Sequence, residues 1–528
     1  MTEMPIPDEI LLPIEPLCIL HTLMGAGFEV ALVGGAVRDV LRGETQITDF
    51  DCTTNATPEQ ITALFPESFY ENNFGTVSIT PEELAKQLGL NEQIVQTPTA
   101  TTDRVIDVAR ATKLHPSLLD AIAKEEIKEH HLPPYEITTY RADGLYSDNR
   151  RPESVTWGNS LEEDLARRDF TINALALTFQ ADFLARVCTD TSTRVIRLKS
   201  QDYKLIDPWQ GLADLEEQRI RTVGDPNKRF AEDALRLLRA VRFSVQLNFA
   251  IEDETLQAIT RASELLQNIS QERIREELFK IFLSPYAKEG IELLAATGLL
   301  SHILPEILAM NGVLQGGHHT TDVWTHSLDA LAECPSRDPV VKLAVLLHDI
   351  GKPQTFDIST GSPTFYNHEV VGARTAKAIA QRLKLSKKDI DRMFILVRYH
   401  MFHYQPEMSD AAVRRFMRKV GLANIDDILD VREGDRLGSG ARKTSWRLEE
   451  FKQRMIAELH QPFAITDLAI DGSDLMRELD LQPGPKIGHL LQTLFEVVLE
   501  NPEKNEKTVL LGLARELLPS LPIVPQTK

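Results

Sequence analysis

The chain of 528 residues has 42% hydrophobic and 26% charged residues, which excludes a disordered or fibrous protein and allows three or four domains with buried cores. Lys and Arg number 58 against 78 Asp and Glu, and the resulting net charge of −20 excludes an all-purpose nucleic-acid binder, leaving only local basic islands for RNA. No apolar run reaches membrane length, the N-terminus lacks a basic targeting region, and Cys18, Cys52, Cys188 and Cys334 lie too far apart for a zinc finger or redox pair, so a cytoplasmic protein with reduced thiols, no membrane contact and no evident protein partner is expected.

Residues 1–28 read as a leader helix, with Ile19, Leu20 and Leu23 as its apolar stripe and Gly25 and Gly27 at its end. The apolar run from Val30 to Val33 reads as a buried strand, broken at Gly34 and Gly35 where a helix over Ala36 to Leu41 begins; backbone there can approach an anion. In the next extended segment, Ile47 to Thr53, Asp49 and Asp51 alternate with Phe50, which puts both carboxylates on one face of a strand, about 7 Å apart. Carboxylates so placed suit hard cations that clamp a triphosphate. Further strands are expected over Gly75 to Ile79, Glu136 to Tyr140 and Arg194 to Leu198, with Glu136 a candidate third carboxylate. A helical insertion fills 81–131 and has no assigned function. RADGLYSDNRRPESVTWG, from Arg141 to Gly158, reads as a mobile loop, and Phe170 to Phe179 as an apolar helix preceded by Arg167 and Arg168.

From Phe230 to Phe243 one helix is predicted, apolar on one face, with Arg236, Arg239 and Arg242 recurring every third residue on another. Asn248 to Leu308 is helical and carries no evident chemistry. Seven of the fourteen histidines fall between His318 and His403. There His326, the pair His348 and Asp349 in LAVLLHDIGKP, and Asp435 in EGDRLGSG give the order H, HD, D, a mixed nitrogen and oxygen donor set for a divalent metal. His368 and His400 are candidates for a second metal position, with His403 competing. Basic islands at Arg382 to Lys388, Ala411 to Val420 and Arg436 to His460 would suit an RNA backbone.

Taken in order, strand, Gly-Gly turn, helix with Arg38 and strand with paired acids resembles the signature of polymerase-beta-like nucleotidyltransferases. FGTVSI, EDLARRDFTINA and FAEDALRLLRAVRF narrow the resemblance to class II tRNA nucleotidyltransferases and poly(A) polymerases, and the histidine cluster resembles the HD phosphohydrolase superfamily. The resemblance implies an α/β head at 29–199 followed by all-α regions: a nucleotide-selecting neck at 200–310, an HD domain at 311–440 and a tRNA-binding tail at 441–528. It implies addition of C, C and A to the 3′ end of tRNA from CTP and ATP, with Asp49 and Asp51 holding Mg2+, Gly34, Gly35 and Arg38 holding phosphates, and Arg168 contacting the nucleotide. The stretch Glu232, Asp233, Ala234, Leu235, Arg236 matches the family's EDxxR motif. One acceptor and one donor, Asp233 and Arg236, then match the exocyclic amino group and unprotonated ring nitrogen that cytosine and adenine share, and reject uracil and guanine; Arg239 and Arg242 support Arg236. The loop 141–158 resembles the one used to switch from C to A. Three other readings stay open: addition of the terminal A alone, poly(A) tailing, and an HD phosphohydrolase whose head only binds RNA or nucleotide.

Overall fold

The computed structural model describes residues 9–45, 47, 49–70, 75–89, 133–143, 155–158, 160–189, 195–316, 321–359 and 361–520. Most of the 81–131 insertion and most of the loop expected at 141–158 lie outside these, as do His318 and His319. The described chain forms two compact units, one holding the residues up to Val313 together with Ile379–Ser386, the other Leu314–Ala378 and the residues from Lys387 onward.

In the first unit a seven-stranded mixed sheet runs in the order Tyr203–Ile206, Ala176–Phe179, Val30–Val33, Asp51–Thr54, Tyr135–Thr139, Thr76–Ile79, Phe69–Tyr70. Val30–Val33 is buried at every residue, as its unbroken apolar sequence requires of a central strand covered on both faces. Register then fixes the chemistry. Asp51 lies opposite Val33 on one side and, in a parallel pairing, opposite Glu136 on the other. The first acidic strand residue therefore sits beside the turn that follows Val33.

Several expectations need correction. Residues 9–13 are a strand paired antiparallel with Val195–Lys199 in a separate two-stranded sheet, and the leader helix is confined to Ile14–Gly25. Ile10 and Leu12 are buried while Leu11 is exposed, a period of two that outweighs the helical stripe further on. The apolar stretch after Arg168 is not a helix: a short 3-10 turn, Thr171–Asn173, leads into the strand Ala176–Phe179, which pairs on both sides. Both periods fit a short, mostly apolar run, and sheet pairing decided between them. The helix expected from Phe230 to Phe243 is two, Pro226–Glu232 and Leu235–Leu247, because Asp233 is extended and its carboxylate accepts the Leu235 N–H.

The second unit is helical. Val323–Glu333, Pro339–Leu347, Lys387–Tyr399 and Ile425–Gly438 pack around the histidines, and later helices enclose two further cores, one around Phe451 and one around Leu494 and Phe495. No helix among the described residues is long and apolar enough to cross a membrane.

Candidate functional site

Gly34, with φ at +79°, makes the turn after Val33 that a side chain would strain. A Cβ there would lie 3.1 Å from Arg168 Nη1 and 3.4 Å from Asp51 Oδ2, so the missing side chain is what leaves the carboxylate and the guanidinium facing the same turn. Asp51 begins its strand, whereas Asp49 lies just before it, exposed and outside any strand. The expected strand pair of acids is thus one strand residue and one from the approach. They still share one field: burial first, then the charge of Asp49, push the Asp51 carboxyl up to about 7, against the attraction of Arg168 and with a further push from Glu136. A carboxyl as reluctant to ionise as that of Asp51 is the electrostatic complement of a cation, and residues Asp49 and Asp51 fit a divalent metal.

Arginines ring this site, each fixed by an acid the sequence had not singled out. Arg168 bonds Asp164 Oδ2 at 3.2 Å, and Arg167 bonds the other oxygen at 2.6 Å. Asp164 is fully buried, and despite that burial the two guanidiniums hold its carboxyl below the usual range. Arg38 is forked onto Asp39 at 2.8 and 2.7 Å and donates through Nη1 to Asn173 at 2.9 Å. Asp169 accepts from Arg239 Nε at 2.7 Å on one oxygen and from Asn173 at 3.1 Å on the other. Arg242 meets Glu277 at 3.1 Å; burial, then the neighbouring Arg239, lower its pKa to about 10.

Asp233 and Arg236 come close in sequence but each has other partners. Arg273 donates to Asp233 at 2.9 Å, while Arg236 donates to Glu232 at 2.6 Å and to the carbonyls of Arg229 and Arg167 at 3.0 and 2.9 Å. Arg273 is absent from any local motif; only an alignment of distant segments could have flagged it.

The second unit assembles the expected histidine cluster. Asp349 is shared by two groups of donors: His326 and His348 on one side, His368 and His400 on the other. Its Oδ2 lies 3.6 Å from His326 Nε2 and 3.1 Å from His348 Nε2, and its Oδ1 lies 3.4 Å from His368 Nε2 and 3.7 Å from His400 Nε2. Asp435 Oδ1 adds a contact of 3.2 Å to His326 Nε2. His348, His368 and His400 each turn Nδ1 to the carbonyl three residues earlier, at 2.7, 2.8 and 2.8 Å. A carbonyl only accepts, so Nδ1 carries a proton, and in the neutral imidazole Nε2 is then the inward-facing lone pair, the tautomer a metal needs. The Nε2 atoms of His368 and His400 are buried without a hydrogen bond. Burial, then His348, lower the His400 pKa to about 3. These two groups of donors, which share Asp349, are of a chemistry that would hold divalent metal. His403 is exposed, bonds Gln405 and takes no part.

Packing explains the convergence. A Cβ on Gly438 would lie 2.6 Å from the backbone N of Ala330, and one on Gly434 would lie 2.9 Å from its carbonyl O. Only two bare positions, one turn apart, let the helix carrying Asp435 press onto the helix carrying His326.

Among the described residues, five arginines of the basic islands form ion pairs within the fold. Arg382 meets Glu306, Arg414 meets Glu458, Arg415 meets Glu500, Arg418 meets Glu496, and Arg454 meets Asp410.

Residues 30–120 and 99–221 match a family model described as the poly A polymerase head domain, 248–310 one described as a probable RNA and SrmB-binding site of polymerase A, and 368–514 one described as a putative tRNA nucleotidyltransferase domain 2. An A-adding tRNA nucleotidyltransferase of Deinococcus radiodurans is 36% identical over 64% of this chain and 75% of its own. A CCA-adding enzyme of Ligilactobacillus salivarius is 30% identical over 97% of this chain and 98% of its own. The crystal structure of the Bacillus stearothermophilus CCA-adding enzyme in complex with CTP superposes with a TM-score of 0.58 at 26% identity, covering 96% of this chain and 97% of that one.

Proposed function

The chain belongs to the tRNA nucleotidyltransferase family, and on that premise we propose that it is a cytoplasmic enzyme that adds C, C and A to the 3′ end of tRNA, from CTP and ATP, with release of pyrophosphate. The observation that carries the reading is the juxtaposition of Asp51, Gly34 and Arg168, a carboxylate whose ionisation is opposed beside a guanidinium, across a turn without a side chain. Asp49 and Asp51 would hold Mg2+, which when bound supplies charge neutralisation for the triphosphate and lowers the pKa of the attacking ribose hydroxyl. Arg168, held by Asp164, binds the nucleotide. Asp233 and Arg236 read the base after exchanging their present partners, Arg273 and Glu232, for the base's amino group and ring nitrogen. Their geometry makes selection a competition between bound protein groups and base, and a base with the reversed pattern leaves donor facing donor.

The test is gel-resolved extension of tRNA transcripts lacking the tail, or ending in CC, with CTP, ATP and Mg2+. Three additions followed by a halt are expected. A single A on the CC substrate alone would make it an A-adding enzyme, and a long A tail a poly(A) polymerase. Asp49→Ala should lower extension by at least about a thousandfold with tRNA affinity nearly unchanged; a variant that still incorporates nucleotide sinks the metal assignment.

A second activity is favoured by the two donor groups that share Asp349: a divalent-metal phosphohydrolase in the HD unit. Metal analysis of the purified chain loaded with Mn2+ should show two ions attributable to this cluster, with hydrolysis of bis-p-nitrophenyl phosphate. Gly438→Ala, by forcing the Asp435 helix off Ala330, should cost about 1–3 kcal/mol of stability and remove both, while tRNA extension persists. Metal binding and hydrolysis unchanged in Gly438→Ala would refute the packing argument, and hydrolysis absent from the loaded parent would refute the activity.

A further inference from the structure

Phe243 has no place in the nucleotide-selecting or metal-binding roles above, yet three arginines of the site gather on its ring. The guanidinium carbons of Arg242, Arg38 and Arg239 lie 4.2, 5.2 and 5.3 Å from the ring centroid. The side chain is only 6% exposed, and Phe170 meets it in a T-shaped contact at 5.7 Å. Each arginine has one acidic partner, Asp39, Asp169 or Glu277, so the group carries no excess of acid. Arg38 and Arg242 are buried and Arg239 is partly exposed, so water screens the repulsion among the three guanidiniums only in part, and each acid neutralises its own arginine without drawing the three together. The negative face of an aromatic ring offsets part of that repulsion, and does so without taking up any N–H donor.

The placement matters because the three arginines come from two elements. Arg38 belongs to the helix Gly35–Leu41 that follows the Gly34 turn, and Arg239 and Arg242 to the helix Leu235–Leu247 that follows Asp233. A polar chain links the same elements: Arg38 to Asn173, Asn173 to Asp169, Asp169 to Arg239. The ring is the second link, and the charge of Arg239 is felt at Asp51.

We propose that Phe243 is a positioning residue for the bound nucleoside triphosphate: its ring holds Arg38, Arg239 and Arg242 as one cationic group beside the carboxylate site and thereby sets triphosphate affinity. This rests on the nucleotidyl-transfer reading. The ring acts on binding, so replacing it moves Kd and KM for CTP and ATP together, leaves KM for tRNA in place, and changes kcat less than twofold.

The test replaces Phe243 in the full chain by 4-fluorophenylalanine and by 3,4,5-trifluorophenylalanine, which keep the ring's shape while draining its face, and adds Phe243→Leu. Binding of CTP and ATP is measured by equilibrium dialysis, and KM and kcat by tRNA extension. Affinity is expected to fall stepwise with fluorination, reaching about tenfold at three fluorines, with Phe243→Leu at least as weak and the monofluorinated protein within about threefold of the parent. An affinity flat across the fluorinated series overturns the proposal, whatever Phe243→Leu does to the melting temperature, because packing alone would then explain the residue. A parent that binds CTP but extends no tRNA refutes the transfer reading while the dialysis series still decides the role of the ring. A parent that binds neither nucleotide refutes both.

Discussion

Asp51→Asn yields a protein that is more stable than its parent at pH 8 and has lost nucleotidyl transfer. The carboxyl of Asp51 is pushed up to about 7 by burial and by Asp49, from an ordinary value of 3.8. A carboxyl with a raised folded-state pKa costs nothing while both states are protonated, below pH 3.8. As pH rises from there to about 7 the unfolded chain releases its proton first, and stability falls until both forms are ionised. The full rise corresponds to about 4 kcal/mol; since Asp51 is only partly shielded from water, a gain on the order of 2 kcal/mol from the amide is the realistic figure. The gain should vanish below about pH 4. Activity moves the other way, by at least about a thousandfold, because the amide is a poor ligand for a hard cation. Thermal melts with and without Mg2+ separate the two effects: the parent should gain stability from the ion and the variant should not. A variant no more stable than the parent at pH 8 would mean that Asp51 is not electrostatically strained, and a Mg2+ response equal to the parent's would place the ion elsewhere.

What could be read from the chain depended on whether the information was local. Asp49, Asp51, Gly34 and Arg168 sit in short motifs, and the structure brings Gly34, Asp51 and Arg168 to one turn. The histidine cluster was legible for a different reason: its residues are scattered over more than a hundred positions, but seven of the fourteen histidines fall between His318 and His403, and with Asp349 and Asp435 they follow the order H, HD, D. The errors have a common origin in tertiary pairing. Residues 9–13 became a strand because Val195–Lys199 was there to receive them, and Ala176–Phe179 became one because two strands flank it. A short apolar run carries no mark of which neighbour it will meet. The acids that fix the arginines were passed over because Asp164 and Asp169 look like the polar margin of a helix. Their burial, not their type, gives them their role. In the basic islands Arg414 and Arg418 find Glu458 and Glu496 far along the chain, partners that a count of bases in a window does not register.

Asp169→Asn should be the most damaging single change outside the groups that touch substrate. The carboxylate is 7% exposed, and although burial opposes its charge, Arg239, Asn173 and Arg236 hold its pKa far below the usual range. Removing the charge leaves Arg239, whose side chain is 33% exposed, without its ion pair; water screens part of the ~3–5 kcal/mol that breaking a fully buried pair costs, and a loss on the order of 2–3 kcal/mol is expected. The pH dependence has the opposite sign to that of Asp51. A depressed folded-state pKa contributes stability above the unfolded value of 3.8, and that contribution is lost as pH falls through the range below it. The difference between parent and variant is therefore full at pH 7 and shrinks in acid. Function suffers by a separate route. Asp169 stands between Arg239 and Asn173, and Asn173 between Asp169 and Arg38, so the amide loosens the cationic group from both ends. Affinity for CTP and ATP should fall about tenfold or more at temperatures where the variant is still folded. A double-mutant cycle with Arg239→Gln distinguishes a specific pair from general damage: a coupling of at least about 2 kcal/mol is expected, since the second change removes the charge that the first left stranded. Additive losses would show that Asp169 stabilises the fold through Asn173 and the backbone alone.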